Sequence, residues 1–320
     1  MLKDEVYAIL KERVGEFVSG EELSTELKKS RTAIWKAIGS LKKDGCFIEA
    51  TTNRGYRLTE RGDALNKGAI ERSMRKKGVS IDVYKEVSST LDLGRKYALG
   101  GEKGVKVIVA ESQTEGRGRF KRKFYSPKGG LYMTVVFRPE TNAKNNLYVT
   151  AEVAVAVSRA VKEVCKTDTE IKWVNDLYIG ERKVCGILTE AQVNLESGTT
   201  DFVSIGIGIN LVRPEGGFDK EIADKAGYIS INQQFDRKNR LVAKIVDEFF
   251  DIYESEDLLS VYKEYDKKLA FKGRKVEVIL GDETFVATEV GVTEDFGLKV
   301  KTDDGKERIL RYGDVSLAVK

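Results

Sequence analysis

The chain has 320 residues, 41% apolar and 33% charged, with 55 lysines and arginines against 51 aspartates and glutamates. That length and apolar share describe a chain of two or three domains with a sizeable core, not a disordered one, and a net charge of +4 argues for a polyanionic partner only through its distribution. There is no histidine, and Cys46, Cys165 and Cys185 are far apart, so histidine acid–base catalysis, a Ser-His-Asp triad and a Cys/His zinc site are excluded from the chain's own side chains. The N-terminus MLKDEVYAIL lacks the basic-then-apolar order of a secretion signal, and no apolar run approaches the roughly 18 residues of a membrane span. The chain reads as cytoplasmic, away from membranes and with free thiols.

Residues 1–62 read as three helices and a β-ribbon. Val6, Ile9, Leu10 and Val14 recur at helical spacing. Ser19 with Glu22 three residues on is a capping signal for a second helix carrying Leu23 and Leu27. Ser30 caps a third, whose Ile34, Ile38 and Leu41 form an inward stripe and which Gly45 would stop. FIEATTNRGYRL then reads as two short strands around Asn53-Arg54-Gly55. This is the order of a winged helix-turn-helix. Residues 1–26 hold three basic and seven acidic side chains (net −4), while residues 27–62 hold nine basic and three acidic (net +6). The cations fall on the third helix and the wing, where a helix-turn-helix meets phosphate. A winged helix used only for packing remains the alternative.

Residues 63–80 read as a connecting helix and hinge. From there to residue 270 the expected elements are a strand at 81–87, a helix at 89–99, strands at 105–111 and 131–138, and a long helix at 147–165. An antiparallel meander of three strands follows at 171–179, 183–193 and 202–211, then helices over 239–269. This is mixed α+β, on a mainly antiparallel sheet. The closely spaced strand-like runs of 271–320 suggest a small SH3-like β-barrel. Three domains are therefore expected, 1–62, 63–270 and 271–320.

Two segments concentrate the chemistry. GRGRFKRKFYSP, residues 116–127, belongs to a stretch with six cationic side chains between Arg117 and Lys128 and no carboxylate. Flexible glycine backbone and guanidinium forks can converge on phosphate, although a solvated charge run or nucleic-acid patch has the same composition. Such a loop would be mobile, its cations brought together only by phosphate. KWVNDLYIGERKVCGIL, residues 172–188, places a tryptophan and Asn175-Asp176 on one strand and opens the next with Lys183, although a bulge or turn capped by the Asn-Asp pair and an exposed turn lysine fit the same residues. A lysine there can neutralise a carboxylate attacking phosphate; it need not act as a base, because the carboxylate is already ionised at neutral pH. In VSIGIGINL, Ser204, Gly206, Gly208 and Asn210 share one face. Glycines there, with Gly186 on the adjacent strand, make a flat floor for a ligand or for a close-packed helix.

With the segments SSTLD (88–92) and ESQTEGRGR (111–119), these motifs resemble the biotin–protein ligase family, and the winged helix resembles that of its bifunctional ligase/operon-repressor members. The resemblance implies two steps. Biotin and Mg·ATP give biotinyl-5′-AMP and pyrophosphate, and a lysine of a carboxylase's biotin carboxyl carrier domain then takes the biotin and releases AMP. Lys183 matches the lysine of the family's RKxxGIL motif, near the biotin carboxylate and α-phosphate. Arg117, Gly118 and Arg119 match the biotin- and phosphate-contacting part of its GRGRRGR loop, and Lys183 and Arg119 take the catalytic roles. Ser89, Thr90 and Gln113 would orient biotin, with Leu91 where the family has asparagine. Phe124, where many relatives have tryptophan, would stack on adenine. Asn175, Asp176 and Asn210 would serve the nucleotide, Asp176 through Mg2+, and Val174 replaces the proline of KWPND. Gly186, Gly206 and Gly208 would floor the ligand.

The resemblance further implies that Ser30, Arg31, Thr32, Trp35, Lys36 and Arg54 meet operator DNA. Biotinyl-5′-AMP would act as corepressor of biotin-synthesis genes by favouring a homodimer. A ligase without repression, a lipoate-type acyl-protein ligase and a non-catalytic biotin-sensing transcription factor remain open.

Overall fold

The computed structural model describes residues 2–43, 46–59, 63–139, 146–193, 199–230, 236–255 and 257–318. The chain divides into two compact units, Met1–Ser73 with Asn232–Arg240, and Met74–Ile231 with Leu241–Lys320.

The first unit contains α1 (Leu2–Glu12), α2 (Gly20–Leu27), α3 (Arg31–Lys43), β1 (Ile48–Thr51), β2 (Gly55–Leu58) and α4 (Lys67–Ser73). Val6, Leu10, Leu23, Ile34, Ile38, Leu41 and Leu58 form its core. Val14 lies beyond the end of α1 and packs on this core from the turn that follows, so its helical spacing is coincidental. Ser19 caps α2, accepting from the Glu22 N–H at 3.0 Å, and Ser30 Oγ accepts from Ala33 N at 3.2 Å. The Gly45 stop lies outside the described residues. The wing is the antiparallel β1–β2 pair, turned through Asn53 (φ 68°) and Gly55 (φ 97°). A Cβ at Gly55 would meet the Val18 carbonyl at 2.2 Å, so both space and φ require glycine.

The second unit is built on a seven-stranded sheet: β3 (Val79–Val87), β4 (Val105–Gln113), β5 (Leu131–Phe137), β6 (Glu170–Lys172), β7 (Asp176–Ile179), β8 (Arg182–Val193) and β9 (Thr200–Ile209). Its order is β3-β4-β5-β9-β8-β7-β6. Only β3 and β4 run parallel, the sheet's other pairs being antiparallel. The expected strand 171–179 is two strands, because Trp173–Asn175 form the turn of a hairpin that sets Lys172 opposite Asp176. Val203, Ile205, Ile207 and Ile209 are buried. α6 (Asn146–Cys165) covers their face, where Thr150 Oγ1 meets Thr189 Oγ1 beside Ile205. α5 (Thr90–Leu99) lies on the opposite face, where a Cβ on Gly94 would strike Thr134, Val136 and Ser204. The long helix is therefore not what the glycine face serves, and the outer end of that face extends beyond the body of α5.

α7 (Arg237–Ser255) and α8 (Leu258–Lys267) follow. The C-terminal sheet is β10 (Lys275–Leu280), β11 (Glu283–Val292), β12 (Leu298–Thr302), β13 (Glu307–Leu310) and β14 (Asp314–Leu317), antiparallel in the order β13-β12-β11-β10-β14. Val276, Val278, Ala287, Leu298, Val300 and Phe296 fill its interior. Burying each of the larger side chains contributes about 1.5–3 kcal/mol. Trp173 Nε1 donates to the Phe296 carbonyl at 2.9 Å, tying the β6–β7 turn to this sheet. No described helix is long and apolar enough to cross a membrane.

Candidate active site

One cavity opens over the outer glycine face of the large sheet. Its walls come from the start of α5 (Ser89, Thr90, Leu91), Gln113, the arginine loop, the β6–β7 turn, the start of β8 and Asp314. Lys183 and residues 117–119, far apart in sequence, line this same cavity.

The inner end is a hydrogen-bond relay. Thr134 Oγ1 donates to Thr90 Oγ1 at 3.0 Å, and Thr90 N and Oγ1 both donate to Gln113 Oε1, at 2.8 and 3.0 Å. Gln113 Nε2 donates to Ser126 Oγ at 3.0 Å, which in turn donates to the Phe124 carbonyl at 2.9 Å. Ser89 is the N-cap, its Oγ accepting from Asp92 N at 3.4 Å. The helix thus begins at Thr90, one residue into the expected 89–99 span.

The glycine floor is occupied by side chains of the site itself. A Cβ at Gly208 would lie 2.4 Å from a Phe124 ring carbon, and one at Gly186 would lie 2.9 Å from the ring and 3.0 Å from Lys183 Nζ. At Gly206 the neighbour is Leu91 Cδ1, at 3.3 Å. The flat strand face therefore lets Phe124 and Leu91 come close. Both stand where the family pattern has another residue.

The arginine loop is a small hairpin, closed by Phe124 N to Gly116 O and Gly118 N to Arg122 O, both 2.8 Å. Its left-handed residue is Phe120 (φ 54°). Each of its arginines is held by a different partner. Arg117 pairs with Asp92 at 2.8 Å and Arg122 with Asp314 at 2.7 Å. Arg119 donates to Asn175 Oδ1 at 3.1 Å and to the Gly313 carbonyl at 3.0 Å. Burial lowers the Arg119 pKa, opposed by Asp314 and Asp176, and a guanidinium stays charged even so.

At the hairpin, Lys183 Nζ lies 2.7 Å from Asp176 Oδ1, an ion contact outside hydrogen-bond geometry, and Asp176 is buried. Lys183 also stands 5.7 Å from the Phe124 ring centroid. Asn175 is bonded at both ends of its amide: Oδ1 accepts from Arg119 and Nδ2 donates to the Ile187 carbonyl at 2.6 Å. Asn210 is the one predicted ligand residue outside the cavity. β9 ends at Ile209, so alternation no longer governs Asn210, and its Nδ2 donates to the Gly227 carbonyl at 3.0 Å.

Among the cavity's charged side chains, sequence reasoning assigned no role in the site to Arg122, Lys123, Lys172 or Asp314. Lys172 is buried, 3.0 Å from Asp314 Oδ1 and 3.9 Å from Asp176 Oδ2. Burial alone would raise the Asp314 carboxyl, but Lys172 and Arg122 outweigh it and hold the pKa at about 2. The Lys-to-Asp spacing in KWVND is the signal that a hairpin turn would have explained.

On α3, Arg31, Thr32, Trp35 and Lys36 share an exposed face opposite Ile34, Ile38 and Leu41, with Trp35 65% exposed. The Ser30 hydroxyl is engaged as the cap. Arg54 lies over the Phe17 ring at 4.2 Å, with Arg57 also on that ring at 4.5 Å.

Residues 87–210 match the model of the Biotin/lipoate A/B protein ligase family, residues 272–318 a biotin protein ligase C-terminal domain, and residues 3–57 an HTH domain. The chain is 34% identical over 232 residues to the bifunctional ligase/repressor BirA of Bacillus spizizenii, covering 72% of this chain and 71% of that one. The chain belongs to the biotin protein ligase family. It sits with the family's bifunctional ligase/repressors, since it is also 28% identical over 315 residues to BirA of Bacillus subtilis, with 96% of each protein covered. Among solved structures, the biotin protein ligase of Aquifex aeolicus in complex with biotin and ATP is similar at a TM-score of 0.63 and 27% identity, over 75% of this chain and 99% of that one.

Proposed function

We propose that this cavity joins biotin to ATP as biotinyl-5′-AMP and passes the biotin to a lysine of a biotin carboxyl carrier domain, and that the winged unit represses transcription from operator DNA. The observation that carries the reading is the meeting of Lys183 with Arg117–Arg119 around one cavity whose other end is polar and neutral.

A biotin carboxylate oxygen attacks the α-phosphorus, the bond to the bridging oxygen breaks, and pyrophosphate leaves. Attack of anion on anion needs positive charge where the two meet, and Lys183 and Arg119 supply it. Thr90 Oγ1 spends its proton on Gln113, so it offers a ligand only a lone pair, suited to a ureido N–H. The Ser89 hydroxyl proton and the second Gln113 amide proton suit the ureido carbonyl. Phe124 is the ring for adenine to stack on. In the second step the carrier lysine's amine attacks the mixed anhydride's carbonyl carbon and AMP departs. The loop, held over the cavity, keeps water from the adenylate.

Magnesium fits as a companion of the nucleotide. Asn175 Oδ1 is taken by Arg119, which leaves Asp176 as the hard oxygen at the phosphate end; Mg2+ keeps most of its ligands on phosphate and water. There it would neutralise phosphate charge. In the repressor role, biotinyl-5′-AMP acts as corepressor by favouring a homodimer that presents two α3 helices to a palindromic site. The domain limits proposed are 62/63 and 270/271.

Biotin-dependent ATP–pyrophosphate exchange, followed by transfer of labelled biotin to a carrier domain, tests this. Exchange driven by lipoate and not biotin would replace the reading with the lipoate-type one; adenylate binding without transfer would leave a sensor. Lys183→Ala is expected to cost at least about 100-fold in exchange while the protein stays folded.

A further inference from the structure

The wing sets two arginines on one ring. Arg54, at its exposed tip, lies 4.2 Å from the Phe17 ring centroid, and Arg57, on β2, lies 4.5 Å from the same centroid. Arg57 is neutralised by Glu49 across the ribbon, whereas among the described residues no carboxylate pairs with Arg54. We propose that Phe17, in the connection between α1 and α2, is a positioning residue for DNA binding. It holds the Arg54 guanidinium as the wing's contact to a backbone phosphate, while Arg57 serves the wing's own structure. The inference rests on the DNA-binding reading above and deepens it.

The first observation is where the ring stands. Val18 N donates to the Tyr56 carbonyl and Tyr56 N to the Val18 carbonyl, both at 2.8 Å, so the α1–α2 connection runs as a third strand beside β2. Alternation then decides the faces. Val18 enters the core, and Phe17 goes to the other side, half-buried and outside the core cluster. There its ring is a surface on which flat guanidinium groups can rest. Gly55, the residue after Arg54, is pressed against the Val18 carbonyl, so Arg54 leaves the chain one residue from a point clamped to Phe17's neighbour.

The second observation is charge. Glu49 Oε2 accepts from Arg57 Nε at 3.1 Å and also from Nη2. That pairing leaves Arg57 little to offer a phosphate. Arg54 follows Thr51, Thr52 and Asn53, none of them charged. A guanidinium lying over a ring keeps its edge N–H groups free, and their fork matches two phosphate oxygens. An arginine already resting on a ring also gives up less rotamer freedom on binding than one that moves freely.

The test is fluorescence anisotropy of the full-length protein with biotinyl-5′-AMP, between about 50 and 200 mM salt. Two duplexes are used, one of random sequence and one that the wild type selects from a random pool. Arg54→Ala should weaken binding to both by about 10-fold and lower the salt slope by about one. Phe17→Leu should weaken both by about 2- to 5-fold and leave the slope unchanged, and it should cost nothing further once Arg54→Ala is present. Phe17→Tyr keeps the ring face and should retain wild-type affinity. The charge-neutral pair Glu49→Gln, Arg57→Met should stay within about twofold of wild type. The proposal is overturned if Phe17→Leu costs nothing, or if its loss adds in full to that of Arg54→Ala, as a merely structural ring would give. It is also overturned if the losses are confined to the selected duplex, or if the Glu49, Arg57 pair costs as much as Arg54→Ala. A wild type that binds neither duplex overturns the DNA-binding reading as well.

Discussion

Gly208→Ala measures how tightly the glycine floor is matched to the loop above it. A methyl group there would sit 2.4 Å from the Phe124 ring, where ordinary contact begins at 3.4 Å, so the ring must retreat by about 1 Å. The Phe124 backbone is held, its N–H bonded to the Gly116 carbonyl at 2.8 Å and its carbonyl accepting from Ser126, so any retreat falls on the side chain's own rotation. Overpacking of this kind costs about 1–3 kcal/mol, against which alanine recovers about 0.5–1 kcal/mol of the strand's glycine penalty. The net loss expected is about 0.5–2 kcal/mol. With Phe124→Ala already present the clash is gone, and the same substitution becomes stabilising by about 0.5–1 kcal/mol. Urea unfolding of the four members of this double-mutant cycle therefore gives a coupling of about 1–3 kcal/mol. A parallel rise in KM for ATP in the single variant would report displaced stacking. If the alanine changes stability equally with and without the ring, Phe124 does not rest on the floor and the cavity's geometry is wrong.

Three other outcomes follow from the same structure. Glu289 is buried in β11, and burial raises its carboxyl to about 7. The raised folded-state value means that stability is full below the ordinary carboxylate range and is lost as pH rises through about 7, by about 3 kcal/mol. Glu289→Gln should therefore raise the melting temperature at pH 8 and leave it nearly unchanged at pH 4, and a uniform shift at both would refute the cause. For DNA, operator affinity measured by anisotropy between about 50 and 200 mM salt should fall steeply. Lys36→Ala should lower the salt slope by about one, while Trp35→Ala should cost about 1–3 kcal/mol on the operator and little on random DNA; equal losses on both would deny Trp35 a base contact. Ser19→Ala removes the α2 cap and should destabilise the winged unit by about 1 kcal/mol; an unchanged unfolding midpoint would show that the cap is idle.

What could be read beforehand divides along physical lines. Local rules carried far: the Ser19 and Ser30 caps, the apolar stripe of α3, the alternation of β9 and the Gly-Asp turns of the C-terminal sheet depend on neighbours within a few residues. The break at Trp173–Asn175 was legible only as an alternative, a bulge or turn at Asn175-Asp176, because no glycine or proline marks it and a register-setting turn of ordinary residues looks like strand. Asn210 was misplaced since alternation says nothing about where a strand stops. Asp314 was invisible for another reason. Its partners Lys172 and Arg122 are 142 and 192 residues away, and only the docking of the C-terminal sheet brings them within reach.

The relay beneath the cavity runs one way, from the Thr134 hydroxyl through Thr90, Gln113 and Ser126 to the Phe124 carbonyl. Thr134 is fully buried and is not part of the cavity wall, yet its proton decides which lone pair of Thr90 remains for an incoming guest. On the proposed ligase reading, recognition at this end of the cavity is thus set from behind, by a side chain that does not line it. A valine at that position would hand the guest a second lone pair without altering the shape of its berth, so selectivity among near-identical heterocycles is tunable from the sheet's interior.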